Sequence, residues 1–194
     1  MSIEDRRNRE RQRRRDEILE AAWGVAASQG WGSFSMERVA AEAELGRATL
    51  YSYFRSIDDL VLAMAEQSLD DLGRRLETAE RLADALDVPV RFAQQRRAAF
   101  ALLFPQAEDS RPHLSNPQLQ LVRAEAHELL LRLRRLVDAN DGTLPEDATD
   151  AAAFVAGISL AGAMIPELSQ STTRRHRWQG FCLQATKSDK GPSQ

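Results

Sequence analysis

Between Ser35 and Phe54 the chain reads S-M-E-R-V-A-A-E-A-E-L-G-R-A-T-L-Y-S-Y-F. Those twenty residues hold two short apolar periodicities that are out of phase with one another. Met36, Val39, Ala40 and Ala43 recur at three- and four-residue steps, which gives a first helix one apolar face. Ser35 stands at the N-cap position, where a hydroxyl that accepts from a first-turn amide is worth about 1 kcal/mol over Ala. Leu45-Gly46 interrupts the pattern, and Leu50, Tyr51, Phe54 and Ile57 resume it in a new phase. Two helices that cross steeply require such a change, and Ala40 falls at the expected crossing, where a larger side chain would hold the helices apart. The pattern is a helix-turn-helix. In such a unit the second helix lies in the DNA major groove and the first braces it against the backbone. The candidate readers are therefore Arg47, Ala48, Thr49, Tyr51, Ser52 and Tyr53.

I-L-E-A-A at 18–22, Gly30-Trp31 and R-A-T-L-Y-S-Y-F at 47–54 stand in the order and spacing of the TetR family of transcriptional regulators, which the chain resembles over residues 15–60. The resemblance implies an all-α fold, with an N-terminal three-helix DNA-binding domain followed by a C-terminal helical ligand-binding and dimerisation domain. It implies base-edge contacts at Arg47 and Ala48, and phosphate or base contacts at Ser35, Thr49, Tyr51 and Tyr53. Met36 and Ser52, from the same stretch, complete the expected DNA-binding set. Three residues depart from the family pattern. Glu44 stands where the family usually has a left-handed Gly, at an expected cost of about 1–2 kcal/mol. Ile57 stands where a Lys is frequent, and Ala26 replaces the usual aromatic of the first helix. Trp23, Trp31 and Phe34 are the candidates to restore that volume.

The chain has 194 residues, enough to bury a real core in one large or two small units. A hydrophobic share of 43% and a charged share of 28% are those of an ordinary soluble protein. The net charge of −3 argues at first sight against a nucleic-acid partner, so its distribution matters. Residues 1–56 carry ten Arg against nine acids, and from Arg6 to Arg15 there are seven Arg against one Glu. That run is either an arm for phosphates or a neighbouring minor groove, or a solvated tail. The single Cys182 excludes an internal disulfide, has no ligand partner at metal spacing and suits a reducing cytoplasm. Nothing near the N-terminus has the apolar segment of a signal peptide, so a cytoplasmic protein is expected.

Along the chain, a first helix is expected to start within the Arg run and stop at Gly30, with Ile18, Ala22 and Val25 on one face. Trp31 and Phe34 are expected core plugs. A helix opened by Asp58 and Asp59 should continue to about Leu82, either as a lever for a signal or as a plain strut. Beyond Asp87 and Pro89 a helical stretch should run to Phe104, where Pro105 ends it, and 106–117 reads as a loop carrying His113. From Pro117 to about Asn140 an amphipathic helix is expected, with Leu119, Val122, Ala126, Leu129, Leu130, Leu133 and Leu136 inward and His127 on its flank. The stretch Ala151 to Pro166 has no charge and Ser159 as its one polar side chain, so it should be buried on all sides; sixteen residues are short for a membrane span. Phe154, Ile158, Ile165 and Leu168 form its bulky side, and Ala152, Ala156, Ser159 and Ala163 a small side open to another helix. Trp178, Phe181, Cys182 and Ala185 mark a last helix, and two such helices per protomer would pair with a second copy as a four-helix bundle.

The domains expected are a basic arm at 1–14, a DNA-binding domain at 15–57 with its helix-turn-helix at 35–54, a helical effector-binding and dimerisation domain at 58–187, and a polar tail at 188–194. The function expected is that of a dimeric, sequence-specific transcriptional regulator on near-palindromic operator DNA, a repressor released by a small-molecule effector. The effector itself is implied only by the resemblance. Phe92, Phe100, Phe104, His127, Met164 and Trp178 are its candidate lining, each with core packing as the plainer role. The alternative is a constitutive or architectural DNA-binding factor with no ligand. No nucleophile elbow, phosphate loop or metal motif is present, so no catalytic residue, cofactor or metal is expected.

Overall fold

The computed structural model describes residues 3–105 and 116–139, together with Val155, and among them finds seven α-helices and no strand. They are α1 (Ile3–Gln29), α2 (Met36–Glu42), α3 (Arg47–Tyr53), α4 (Ile57–Glu77), α5 (Leu82–Gln95), α6 (Arg97–Leu103) and α7 (Pro117–Ala139). The stretches expected to form the last two helices, with Met164, Trp178 and Cys182, and the loop with His113 lie outside the described residues. The molecule is an N-terminal helix-turn-helix domain joined to a helical region, as expected.

The first unit is built on α1. Ile18, Ala22 and Val25 are fully buried on one stripe of it and meet Val39 and Ala40 of α2 and Leu50 and Phe54 from the third-helix segment. Ala40, 3% exposed, sits in that core, as expected for the crossing. Trp31 and Phe34 plug the junction as expected: their rings lie 5.1 Å apart, and Trp23 meets Trp31 edge-on at 6.1 Å. Of the three, Trp23 stands beside the buried Ala26, where the two line with Ala27 and Gln94–Ala99 an open groove of about 570 Å³. Tyr51, placed by the sequence in the apolar set of α3, instead points to solvent at 40% exposure.

α4 is the axis of the remainder and touches α1, α5, α6 and α7. Ser56 caps it by accepting from the Asp59 amide at 3.1 Å, with Asp58 and Asp59 at its positive end and Arg74 and Arg75 at its negative end. It stops at Glu77, not near Leu82, because the chain turns at Thr78, whose hydroxyl donates to the Arg75 carbonyl at 2.9 Å. Leu82 instead opens α5, ahead of the expected start at Pro89. Pro89 is accommodated inside that helix: Leu82, Ala85, Leu86, Pro89 and Phe92 form one buried face, and their burial offsets the lost amide bond. The helical stretch to Phe104 is broken once, at Arg96, whose φ of −126° and ψ of 52° are not helical. No Gly or Pro marks that break. Trp31 ties the two units together, its indole N–H donating to the Ala98 carbonyl of α6 at 3.2 Å.

The turn between α2 and α3 shows how the chain is forced into shape. The Leu45 amide bonds the Ala40 carbonyl at 2.8 Å and the Glu44 amide bonds the Ala41 carbonyl at 3.2 Å. This pair is the Schellman pattern, which needs a left-handed residue at the position after the cap. Glu44 supplies it at φ 52°, the one non-glycine with positive φ among the described residues. Replacing Glu44 with Gly removes the Cβ that makes this conformation costly. We expect Glu44→Gly to stabilise the fold by about 1 kcal/mol, seen as a melting temperature higher by about 2–4 °C; a lower melting temperature would contradict the strain.

Candidate nucleic-acid interface

Which side chains α3 offers outward follows from which ones its neighbours bury. Leu50 is fully buried and Phe54, just past the helix, is 2% exposed; both anchor one side of the helix in the shared core. At about 100° per residue Ala48 and Ser52 lie on the opposite side, Thr49 and Tyr51 on the two flanks, and Arg47, in the first turn, about 60° from Leu50. All five are exposed. Gly46 precedes the helix as its N-cap residue, with no side-chain cap. Ser35 caps α2, accepting from the Arg38 amide at 3.4 Å. Tyr53 is half-buried at the flank under the Arg11 guanidinium, 5.4 Å from its ring centre. Met36 departs from the expected set: its side chain is 5% exposed and belongs to the core, so only its backbone amide, at the first residue of α2, is available.

The outward groups are already arranged. Ser52 donates its proton to the Thr49 carbonyl at 2.7 Å, which leaves the hydroxyl oxygen as an acceptor. Arg47 reaches back across the turn to Glu37 of α2, Nη2 to Oε1 2.9 Å, with both side chains more than half exposed. Glu37 is held below the ordinary carboxylate range by its backbone hydrogen bond first and by the Arg47 charge second, so it stays ionised and competes for the guanidinium. Sequence reasoning missed this partner, because the two residues come together only through the helix crossing. Arg38 of the same helix is likewise engaged, donating to Gln29 of α1.

The Arg run is neither a loose arm nor a tail. It is helical from Ile3 and continuous with the rest of α1. Arg11 donates to the Ser52 carbonyl at 3.4 Å, at the C-terminal end of α3, and Arg15 stacks over Phe54 at 4.9 Å. Arg13 and Arg14 pair with Glu17 at 3.5 and 2.9 Å.

Of the expected effector-lining residues, three come together. The Phe100 and Phe104 rings lie 5.0 Å apart, and His127 meets Phe104 edge-on at 5.0 Å. His127 is not on a flank but buried in α7, its Nδ1 2.9 Å from the Arg123 carbonyl. Arg123, also buried, donates through Nε to the Leu102 carbonyl at 2.8 Å near the end of α6. Phe92 is apart from this cluster, fully buried with Arg75 over its ring at 5.7 Å. Met164 and Trp178 lie outside the described residues. No metal-ligating cluster occurs among the described residues, and none of their helices is long and apolar enough to cross a membrane.

Burial pushes the His127 imidazole below its ordinary pKa, more strongly than the Arg123 carbonyl raises it, and the Arg123 charge adds to the fall. The ring is therefore neutral near pH 7, and Nδ1–H is the donor to the carbonyl. The unfolded chain takes up that proton near pH 6.5 and the folded one resists it, so stability is full above pH 6.5 and declines as the pH falls below it. Calorimetry should show a melting temperature that drops by a few degrees from neutral to mildly acidic pH, and His127→Gln should flatten that drop. A variant that follows the wild-type profile would contradict the assignment.

Residues 18–64 match the family model described as bacterial regulatory proteins, tetR family. No curated protein sequence matches the chain. Three solved structures illustrate the likeness of fold. The multidrug binding protein EbrR complexed with imidazole is 23% identical over 75% of this chain and 94% of its own, with a TM-score of 0.51. A protein with unknown function from Rhodococcus sp. RHA1 is 22% identical over 77% of this chain and 82% of its own, at 0.51. The fatty acid degradation regulator FadR from Bacillus halodurans is 14% identical over 79% of this chain and 91% of its own, at 0.50.

Proposed function

We propose, from the match of residues 18–64 to the tetR family of bacterial regulatory proteins, that this chain is a regulator of that family: a dimeric, sequence-specific DNA-binding repressor, released from its operator by a small molecule. The observation that carries the reading is the outward side of α3. A first-turn arginine, an alanine small enough to allow close approach, two hydroxyls and a tyrosine stand exposed on one short helix, which Leu50 locks into the core. A helix of that size and chemistry fits a major groove about 12 Å wide. Arg47 is the specificity residue: a guanidinium bidentate to guanine is worth about 1–3 kcal/mol against the wrong base. Ser35, Thr49, Tyr51 and Tyr53 act on phosphates or bases beside it.

The dimer reading rests on the uncharged stretch at 151–166 and the apolar stripe at Trp178, Phe181, Cys182 and Ala185. Two copies of α3 would then meet successive major-groove faces about 34–36 Å apart, or a multiple of that. Occupying a promoter in this way blocks polymerase, and the protein works in the cytoplasm without a catalytic step or a cofactor. For the effector, the support is the aromatic cluster of Phe100, Phe104 and His127, with Phe92, Met164 and Trp178 as further lining. EbrR, which shares the fold, was solved with imidazole and with malachite green. A ligand weakens DNA binding here only by as much as it prefers the non-binding geometry.

The test is binding to a duplex enriched from a random-sequence pool, set against an unrelated duplex. Arg47→Ala should lower the ratio of the two affinities by tenfold or more; weakening both duplexes equally would overturn the assignment of Arg47. Glu37→Gln removes the carboxylate that holds Arg47 in the free protein and repels phosphates. Anisotropy titrations should find the enriched duplex bound severalfold more tightly by this variant, and unchanged or weaker binding would show that the ion pair does not compete with DNA.

A further inference from the structure

The arginines of α1 form two rows with different prospects. Taking about 100° per residue, Arg7, Arg11, Arg14 and Arg15 lie within about 60° of the direction of Ile18, the first core residue of the helix. Arg6, Arg9 and Arg13 lie about 120° or more away. The first row thus continues the stripe that packs the helix onto its own domain. Its inner members show what that direction meets: Arg15 is stacked on Phe54, and Arg11 lies against Tyr53 and the Ser52 carbonyl at the end of α3. Arg7, one turn further out, is exposed, as is every residue of α1 before Arg15. From Ile3 to Arg15 this segment extends about 18 Å.

As a free-standing helix the segment is badly designed. Cations sit in its N-terminal half, where the helix dipole disfavours them, and Arg7, Arg11 and Arg15 repel one another at four-residue steps, as do Arg9 and Arg13. Glu4 and Asp5 in the first turn and Glu17 further on offset only part of this. A polyanion lying along the inner row would remove the repulsion. The contacts of Arg11 put that row beside the C-terminal end of α3, and a duplex that takes α3 into its major groove carries phosphates on both rims of the groove.

We propose that the N-terminal part of α1 is a second DNA-contacting element, a rigid rail whose inner row, Arg7 and Arg11 foremost, lies on the phosphates flanking the groove occupied by α3. It reads no bases. Its contribution is sequence-independent affinity and a footprint longer than the reading helix alone requires. Arg11, held to α3 by its contact with Ser52, keeps the rail in register with the recognition helix. The proposal rests on the reading of α3 as a DNA-binding helix, and it differs from that reading in what salt does to the variants.

The experiment compares Arg7→Gln/Arg11→Gln with Arg6→Gln/Arg9→Gln, and includes Arg7→Gln alone, using anisotropy titrations across a salt series on an enriched duplex and on a mixed-sequence duplex. Gln is nearly as good a helix former as Arg, and circular dichroism checks that α1 persists. The inner pair should flatten the plot of log affinity against log salt by about two units and weaken both duplexes by the same factor. Arg7→Gln alone should flatten it by about one unit, and the outer pair by less than about half a unit. Equal slopes for the two pairs, or an inner pair that loses affinity with the wild-type slope, would overturn the rail. The latter result would assign Arg11 a purely structural role. A wild type that binds no duplex would overturn the reading of α3, and the rail with it.

Discussion

The reading helix holds its position because Leu50 and Phe54 are sealed into a core made by Ile18, Ala22 and Val25 of α1 and Val39 and Ala40 of α2. Two turns of isolated helix are not stable in water, since nucleation is costly and a short helix repays little of that cost. α3, seven residues long, is therefore a helix by virtue of its packing. That packing also sets its rotation: with Leu50 inward, Ala48 and Ser52 face away from the core, Tyr51 stands on a flank, and Arg47 reaches Glu37 across the turn. The left-handed Glu44 belongs to the same constraint. The steep crossing that lets α3 stand clear of α2 needs a reversal at that point, and the core is stable enough to hold a glutamate in it.

On this scaffold several cations of the first unit already have partners. Arg47 is held by Glu37, Arg38 by Gln29, Arg11 by Ser52 and the Tyr53 ring, and Arg13 and Arg14 by Glu17. Exposed ion pairs of this kind contribute little to stability. What they do is restrict where each guanidinium points; on the proposed function this reduces the ordering cost of binding DNA, while a competing carboxylate such as Glu37 raises the cost of a wrong contact. The downstream helices are coupled to this surface through Trp31 on Ala98 and through α4, which touches both the first unit and α5 to α7. Any change in the aromatic cluster at Phe104 and His127 therefore has a packed route to α1.

Much of this was legible from the residues because the first unit follows local rules. The apolar spacing of α2 and α3, the Ser35 cap, the stop at Gly30 and the strain at Glu44 are each written within a few residues of where they act. Features that depend on contacts between distant segments were not. The partnership of Glu37 and Arg47 exists only at the crossing of two helices, and the burial of His127 only because α6 places Phe104 against it. Pro89 marks a boundary by local rules, yet the apolar face of α5 outweighs it. The break at Arg96 carries no Gly or Pro to announce it. Met36 was offered both to the core and to DNA, and the core took its side chain. The helical state of the Arg run had a usable signal, since arginine is a good helix former and Arg7, Arg11 and Arg14 extend the stripe of Ile18 backwards without a gap.

The claim at the centre of the account is that α3 enters a major groove and reads guanine there. Methylation interference on an enriched duplex tests it directly, because dimethyl sulfate marks guanine N7 on the major-groove edge and adenine N3 on the minor-groove edge. The account predicts that binding is blocked by guanine methylation at positions arranged symmetrically in two half-sites. Interference confined to adenines, or none at all on a duplex that is bound, would contradict it.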